Sequence, residues 1–177
     1  DKFGIVAVVT VITFFFSIFS DLGIGAAIIQ NKELQQKDLN QLFSFTVWSG
    51  CILTLLFFLC SWPISFFYKE PSMKTITQLL AINLFFASAN IVPNALLYKA
   101  KAFKFLAWRS LGVQVSGGII AILAALGGAG LYALIINPIL SSILLFIISY
   151  QKYPQTLEMT WGIPSIRKIF KFSAYQF

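Results

Sequence analysis

The sequence predicts an all-α protein, a polytopic bundle of transmembrane helices with five complete spanning helices and the start of a sixth. Of its 177 residues, 58% are apolar and 11% are charged, whereas about a quarter of the residues in soluble domains are charged. Residues 39–68, 75–98 and 110–151 carry no charged side chain. Because a helix needs about 20 apolar residues to cross the bilayer core, these stretches hold one, one and two crossings.

The spans follow one another with short connections. The five complete helices are predicted near residues 4–30, 41–67, 75–98, 108–127 and 131–150. The last two are separated by Gly127-Gly128-Ala129-Gly130, a sequence typical of a tight turn. The sixth helix begins near residue 166. Because both ends of the chain fall at or inside a predicted span, we interpret the chain as a fragment of a longer membrane protein.

Basic residues are distributed unequally between the two sets of predicted loops. One side carries Lys32, Lys37, Lys99, Lys101, Lys104, Arg109, Lys152, Arg167, Lys168 and Lys171, and the other carries Lys2, Lys69 and Lys74. Since cytoplasmic loops are enriched in Lys and Arg, the first side is predicted to be cytoplasmic. The net charge of +7 is thus interpreted as a topology signal, and nucleic acid is not expected as a partner.

Asp21 is the only acidic residue within a predicted span. A carboxylate at membrane depth is costly and indicates function, so Asp21 is a candidate for a role in transport. Two alternatives remain open. Asp21 can cap a second short helix at 22–30 after a helix break, or it can simply lie exposed at the membrane interface.

The third predicted helix has a polar stripe. Asn83, Asn90 and Asn94 fall within about 40° of one another on a helical wheel. Pro93 beside them removes one backbone hydrogen bond, which predicts a kink. Such a face can line a water-filled cavity or hydrogen-bond to neighbouring helices. The fifth helix repeats the pattern with Asn137, which precedes a proline.

Two further patterns lie around the fourth predicted helix. Lys99, Lys101, Lys104 and Arg109 form a basic cluster that can meet the phosphates of a lipid carrier or anchor the loop at anionic headgroups, and anchoring is favoured. Within the helix, a face of mostly small residues predicts close helix packing. That face consists of Gln114, Gly118, Ala121, Ala125 and Gly128.

Several kinds of site are excluded or disfavoured. The sequence contains no His, which excludes His-ligated metals and His general bases. It has no Gly-rich phosphate loop and no Cys-pair zinc motif. No metal and no cofactor is therefore expected.

Three segments resemble polysaccharide-unit flippases of the multidrug/oligosaccharidyl-lipid/polysaccharide exporter superfamily. Asp1-Lys2-Phe3-Gly4-Ile5-Val6-Ala7 resembles the D-x-F-G-x-x-A entry to the family's second helix. The block from Phe19 to Gln30 resembles the end of that helix. Val92-Pro93-Asn94-Ala95-Leu96-Leu97, with the Phe103-Lys104 loop, resembles the fourth helix and its exit.

The resemblance implies two helical lobes around a central cavity that opens alternately to either side of the bacterial inner membrane. Residues 1–150 would form helices two to six of the N-terminal lobe, 151–168 the cytoplasmic inter-lobe linker, and 169–177 the start of helix seven. The implied cargo is an undecaprenyl-diphosphate-linked oligosaccharide for O-antigen or exopolysaccharide synthesis. Membrane lipids, a polysaccharide polymerase and glycosyltransferases are the implied partners.

Cavities in this superfamily often carry cations that meet the diphosphate. No Lys or Arg is predicted deep in a span, which leaves two alternatives: the cations lie in the first helix or the second lobe of the full-length protein, or the phosphates meet Lys99, Lys101 or Arg109 at the interface. A cation-coupled multidrug exporter of the same superfamily is the nearest alternative, although it would need more intramembrane acids than Asp21. A membrane glycosyltransferase or polysaccharide polymerase is disfavoured because the outer loops 69–74 and 127–130 are too short to build an active site, and no enzyme activity is expected.

Overall fold

The computed structural model describes residues 2–21, 23–31, 33–130 and 132–158, and within them the regular structure is entirely helical. The elements are α1 (Lys2–Asp21), α2 (Ile24–Gln30), α3 (Gln36–Tyr68), α4 (Pro71–Lys99), α5 (Phe103–Leu126) and α6 (Tyr132–Lys152). Helices α3 to α6 are each long and apolar enough to cross a membrane. The predicted all-α membrane bundle is confirmed, with four such spans in the described part of the chain. The predicted sixth helix lies outside the described residues.

The first predicted helix is divided in two. Helix α1 ends at Asp21, and Gly23 has a left-handed backbone with φ of 73° before α2 begins at Ile24. Glycine suits this conformation because it has no Cβ. The prediction of one helix over 4–30 is therefore wrong, and the alternative of a helix break followed by a second short helix is confirmed, with Gly23 rather than Asp21 at the N-cap position. The position of the Asp21 side chain lies outside what the structure describes.

Helices α3 and α4 form a long antiparallel hairpin. A capping box starts α3, with the Gln35 backbone N–H donating to Asp38 Oδ2 at 3.2 Å. Pro71 occupies the start of α4, where a missing N–H costs no helical hydrogen bond. Midway along the pair, a Cβ at Gly50 would lie 2.7 Å from Ser88 Cβ. Glycine at position 50 thus permits the close approach of the two helices.

Helix α4 is the centre of the bundle, and α1, α2, α3 and α6 pack around it. Two apolar clusters hold it in place. Val92 of α4 is fully buried in the cluster that also contains Ile28 of α2 and Leu42 of α3. Leu84 of α4 lies in the other cluster, with Phe57 of α3. Polar groups on α4 are consequently held inside the bundle rather than at its rim.

Helix α5 packs mainly against α6 and exposes most of its surface. The predicted small-residue face does not make the close contact, because a Cβ at Gly118 would meet nothing within 4 Å. The contact is made one residue earlier, where a Cβ at Gly117 would overlap the Asn137 side chain. Bulky residues such as Leu111 and Ile122 face outward, which lipid tolerates because its tails are equally apolar.

The segment after α6 returns across one end of the bundle. Gln155 is 4% exposed, and the segment is held on the first turns of α3 by three hydrogen bonds. They join Gln36 Nε2 to Gln155 Oε1 at 2.8 Å, Thr156 N to Asn40 Oδ1 at 3.3 Å, and Glu158 N to Ser44 Oγ at 2.7 Å. The first part of the predicted linker 151–168 is thus docked, and residues 159–168 lie outside the described part of the chain.

Candidate functional site

Asn83, Asn90 and Asn94 lie on α4 and are all partly buried. We call these three residues the Asn face. Two cavities border it, one between α1 and α4 and the other between α2 and α4. About 16 Å of helix separates Asn83 from Asn94, so the face extends along a substantial part of a membrane-spanning helix.

Asn94 is joined to a buried arginine. Arg109 lies in the second turn of α5 and is 8% exposed. Its Nη2 donates to Asn94 Oδ1 of α4 at 2.9 Å, and its Nη1 donates to Ser149 Oγ of α6. One guanidinium therefore connects α4, α5 and α6. The connection lies near the end of the bundle that carries the loops at 100–102 and 153–158.

Among the residues that the structure describes, no carboxylate forms an ion pair with Arg109. Its Nε has no hydrogen-bond partner there either. A buried cation without a counter-ion carries a large desolvation cost. Within a membrane-spanning helix, such a residue is a functional candidate by default. Asn94, which accepts from Arg109, also lines the cavity between α2 and α4.

The sequence groups Arg109 with the interfacial lysines, whereas the structure buries its side chain among α4, α5 and α6. Helix α5 begins at Phe103, so Arg109 is about 9 Å along the helix rather than in the loop. The expectation that no Lys or Arg lies deep in a span stays a prediction, because Arg109 lies near one end of α5. A usable signal was present, because Leu106, Arg109 and Val113 share one helical face and both neighbours are buried.

The other basic candidates lie outside the bundle core. Lys99 Nζ donates to the backbone oxygen of Asn31 at 2.7 Å, which ties the end of α4 to the end of α2. Lys101 and Lys104 are exposed. These three lysines remain candidates for contact with lipid headgroups, and the structure does not bring them together with Arg109.

The cavity between α2 and α4 has a volume of about 280 Å³ and places Asn94 and Tyr98 opposite Gly25 and Ile29. Its wall is mostly apolar, with one amide and one phenol as hydrogen-bonding groups. Because Asn94 Oδ1 faces Arg109, the amide NH₂ is left for other acceptors. This cavity can accommodate an acceptor group close to a positive charge.

The cavity between α1 and α4 is chemically different. It has a volume of about 230 Å³, and Thr10, Thr13, Ser17 and Asn83 contribute neutral polar groups beside Phe14. The hydroxyls of Thr13 and Ser17 donate to backbone oxygens of α1, both at 2.7 Å, and each oxygen keeps acceptor capacity. Sequence reasoning missed this α1 stripe, although its spacing of three and four residues is helical.

Asn90 lies on the same face between the two cavities. Its Oδ1 is buried and has no hydrogen-bond partner among the described residues. Buried amide oxygens are nearly always hydrogen-bonded, so this atom is available to a water molecule or a ligand.

Asn137 occupies a different environment from the Asn face. Its Oδ1 accepts a hydrogen bond from Ser141 Oγ at 3.1 Å and lies against Gly117 of α5. The structure thus places this candidate at the contact between α5 and α6.

The four long apolar helices define a multi-pass membrane protein. Residues 1–177 match the family of polysaccharide biosynthesis proteins. The chain belongs to this family, and its place in membrane polysaccharide biosynthesis agrees with the resemblance noted in the sequence.

Two relatives give the same context at low identity. The teichuronic acid biosynthesis protein TuaB of Bacillus subtilis (strain 168) is 27% identical over 168 residues, which cover 93% of this chain and 34% of that protein. An uncharacterized membrane protein in the cps region of Klebsiella pneumoniae is 22% identical over 180 residues, covering 99% and 36% respectively. The chain spans about a third of the length of each relative. No solved structure matches it significantly.

Proposed function

We propose that the protein to which this chain belongs is a flippase that moves a lipid-diphosphate-linked oligosaccharide across the bacterial inner membrane by alternating access. The observation that carries this proposal is the buried, uncompensated charge of Arg109 beside Asn94. A diphosphate is a multivalent anion, and guanidinium groups bind phosphate oxygens strongly. The family's description as polysaccharide biosynthesis proteins supports a saccharide as the other part of the cargo.

The neutral part of the site supports the same cargo. Sugar hydroxyls pair with hydroxyls and amides, and the cavity at Thr10, Ser17 and Asn83 offers these groups next to an aromatic ring. The two cavities lie at different levels of α4, so a charged head and a neutral saccharide can be held by different parts of the Asn face. Transport rather than catalysis is the proposed activity.

We assign α1 as a fifth span and place the loops at 31–35, 100–102 and 153–158 in the cytoplasm. Helix α1 is 20 residues long and strongly apolar, which suffices to cross the bilayer core. The unequal distribution of Lys and Arg between the two sets of loops supports this orientation of the helices across the membrane. Asp21 then lies near the cytoplasmic side, where a change in its protonation can bias the two open states.

Reporter fusions test this topology. Fusions after residues 35, 102 and 155 are expected to report the cytoplasm, because their loops carry most of the basic residues. Fusions after residues 71 and 128 are expected to report the outside. Alkaline phosphatase and green fluorescent protein, active on opposite sides, provide the paired measurement. Opposite results at two or more loops would overturn the orientation.

A gene deletion tests the transport assignment. The strain is expected to lose its surface polysaccharide and to accumulate the lipid-linked unit in the inner leaflet, because the sugar is assembled but not moved. Lipid extraction with mass spectrometry and accessibility to an external glycosidase measure the two effects. Normal surface polysaccharide together with a new sensitivity to drugs would contradict the flippase proposal and support a multidrug exporter. Loss of the lipid-linked unit itself would indicate an enzyme.

A further inference from the structure

A third cavity lies at the turn between α3 and α4, at the opposite end of α4 from Asn94. Its volume is about 410 Å³, and it is lined by Ser65, Phe66, Lys69, Glu70 and Lys74. We call it the hairpin cavity. Lys74 and Asn94 are separated by about 30 Å of helix, so this cavity is distinct from the site at Arg109.

Two lysines line the hairpin cavity, and neither forms an ion pair with a carboxylate that the structure describes. Lys74 Nζ lies 4.8 Å from the centre of the Trp62 ring, a cation–π distance that orients its side chain. Lys69 ends α3 with a left-handed φ of 54°, and its N–H donates to the Phe66 oxygen at 3.3 Å. Glu70 also lines the cavity, which leaves one excess positive charge.

Aromatic residues indicate the depth of this cavity in the membrane. Trp62 is 51% exposed and Phe66 is 87% exposed, and Phe67 and Tyr68 are exposed beside them. Trp and Tyr concentrate at the boundary between the hydrocarbon core and the headgroups. At this depth the two lysines are closer to lipid headgroups than to bulk water. The position therefore favours an anion that is part of a lipid over a free anion.

We propose that the hairpin cavity binds the phosphate group of a membrane lipid that carries a net negative charge. Paired ammonium groups attract a phosphate as point charges, and the aromatic rim contacts the first part of the lipid chain. A glycerophospholipid headgroup and a polyprenyl diphosphate present the same chemistry. The proposal goes beyond flipping and does not depend on it, since the cavity is built from α3 and α4 alone.

Native mass spectrometry of the purified full-length protein tests the proposal. The added probes are phosphatidylglycerol, undecaprenyl diphosphate and, as a zwitterionic comparison, phosphatidylcholine. The double substitution Lys69→Gln with Lys74→Gln is expected to weaken binding of the anionic lipids by about tenfold and to leave phosphatidylcholine unchanged, because each exposed ion pair contributes modestly. Lys37→Gln with Lys152→Gln is the matched control, since it removes two exposed lysines from the other end of the bundle that are not candidates for lipid contact.

The pattern across probes identifies the source of the phosphate. Loss confined to undecaprenyl diphosphate supports a carrier site, loss confined to phosphatidylglycerol supports a headgroup site, and loss of both supports a general phosphate site. Lys69→Arg with Lys74→Arg is expected to retain binding. The proposal is overturned if the Gln pair binds all probes like the wild type, if the control pair loses as much, or if phosphatidylcholine is lost equally.

Discussion

Replacing Arg109 with Met is expected to lower export of the surface polysaccharide by about a hundredfold, equivalent to about 3 kcal/mol, which is typical for removal of one partner of a buried charge contact. The same substitution is expected to leave the thermal stability unchanged or raised. Arg109 is buried without a described carboxylate, so Met removes a desolvation cost while it fills similar volume. Complementation of a deletion strain and thermal unfolding in detergent measure the two effects.

Two further variants separate charge from geometry at this position. Arg109→Lys keeps the cation but loses the planar fork that reaches both Asn94 and Ser149, so partial export is expected. Lys104→Met removes an equal charge from an exposed position of the same helix and is expected to export normally. If Arg109→Met exports normally, the guanidinium has no part in transport. If the variant unfolds much more easily, the residue is a structural clamp.

Much of the helix architecture was predictable, because long charge-free stretches mark membrane spans directly. The predicted span 75–98 and the observed Pro71–Lys99 differ by a few residues at each end. The break at Gly23 was harder to place, since the apolar pattern continues through it and the left-handed φ depends on local backbone geometry.

The site was partly predictable. The three asparagines share a face of α4, as their spacing indicates, but their partners come from α1, α2 and α5, and helix spacing does not specify which helices are neighbours. Arg109 was misplaced because counting charges by loop treats every basic residue near a span end as exposed. Its burial depends on α6 packing beside α5, and this tertiary contact cannot be recognised from the sequence of α5 alone.

The docked segment 153–158 could not be inferred from composition. Its polar residues resemble those of a free cytoplasmic linker, yet Gln155 is buried and hydrogen-bonded to Gln36. Since backbone N–H groups of this segment donate to side chains of α3, movement after α6 is coupled to the start of α3. Any rearrangement of the helices must therefore move these elements together or break these bonds.

Replacing Asn90 with Leu is the second change with a large expected effect, because it separates stability from transport. Asn90 Oδ1 is buried without a described hydrogen-bond partner, and relieving such an atom is expected to stabilise the protein by about 1 kcal/mol. Export is expected to fall at least about tenfold, because an apolar side chain would interrupt the polar face between the two cavities. Thermal unfolding in detergent and surface polysaccharide in a deletion strain are the measurements. Thr77→Val is the matched control.

Thr77 makes the comparison strict because its Oγ1 is also buried without a described partner on α4, while it lies about 140° round the helix from Asn90. Val is close to Thr in size, so the control is expected to gain stability and to export normally. Export at the wild-type level by the Asn90→Leu variant would mean that the Asn face does not line the transport path. Loss of export in both variants would mean that removing any unpartnered buried polar atom from α4 impairs the conformational cycle. That result would contradict a specific role of the Asn face.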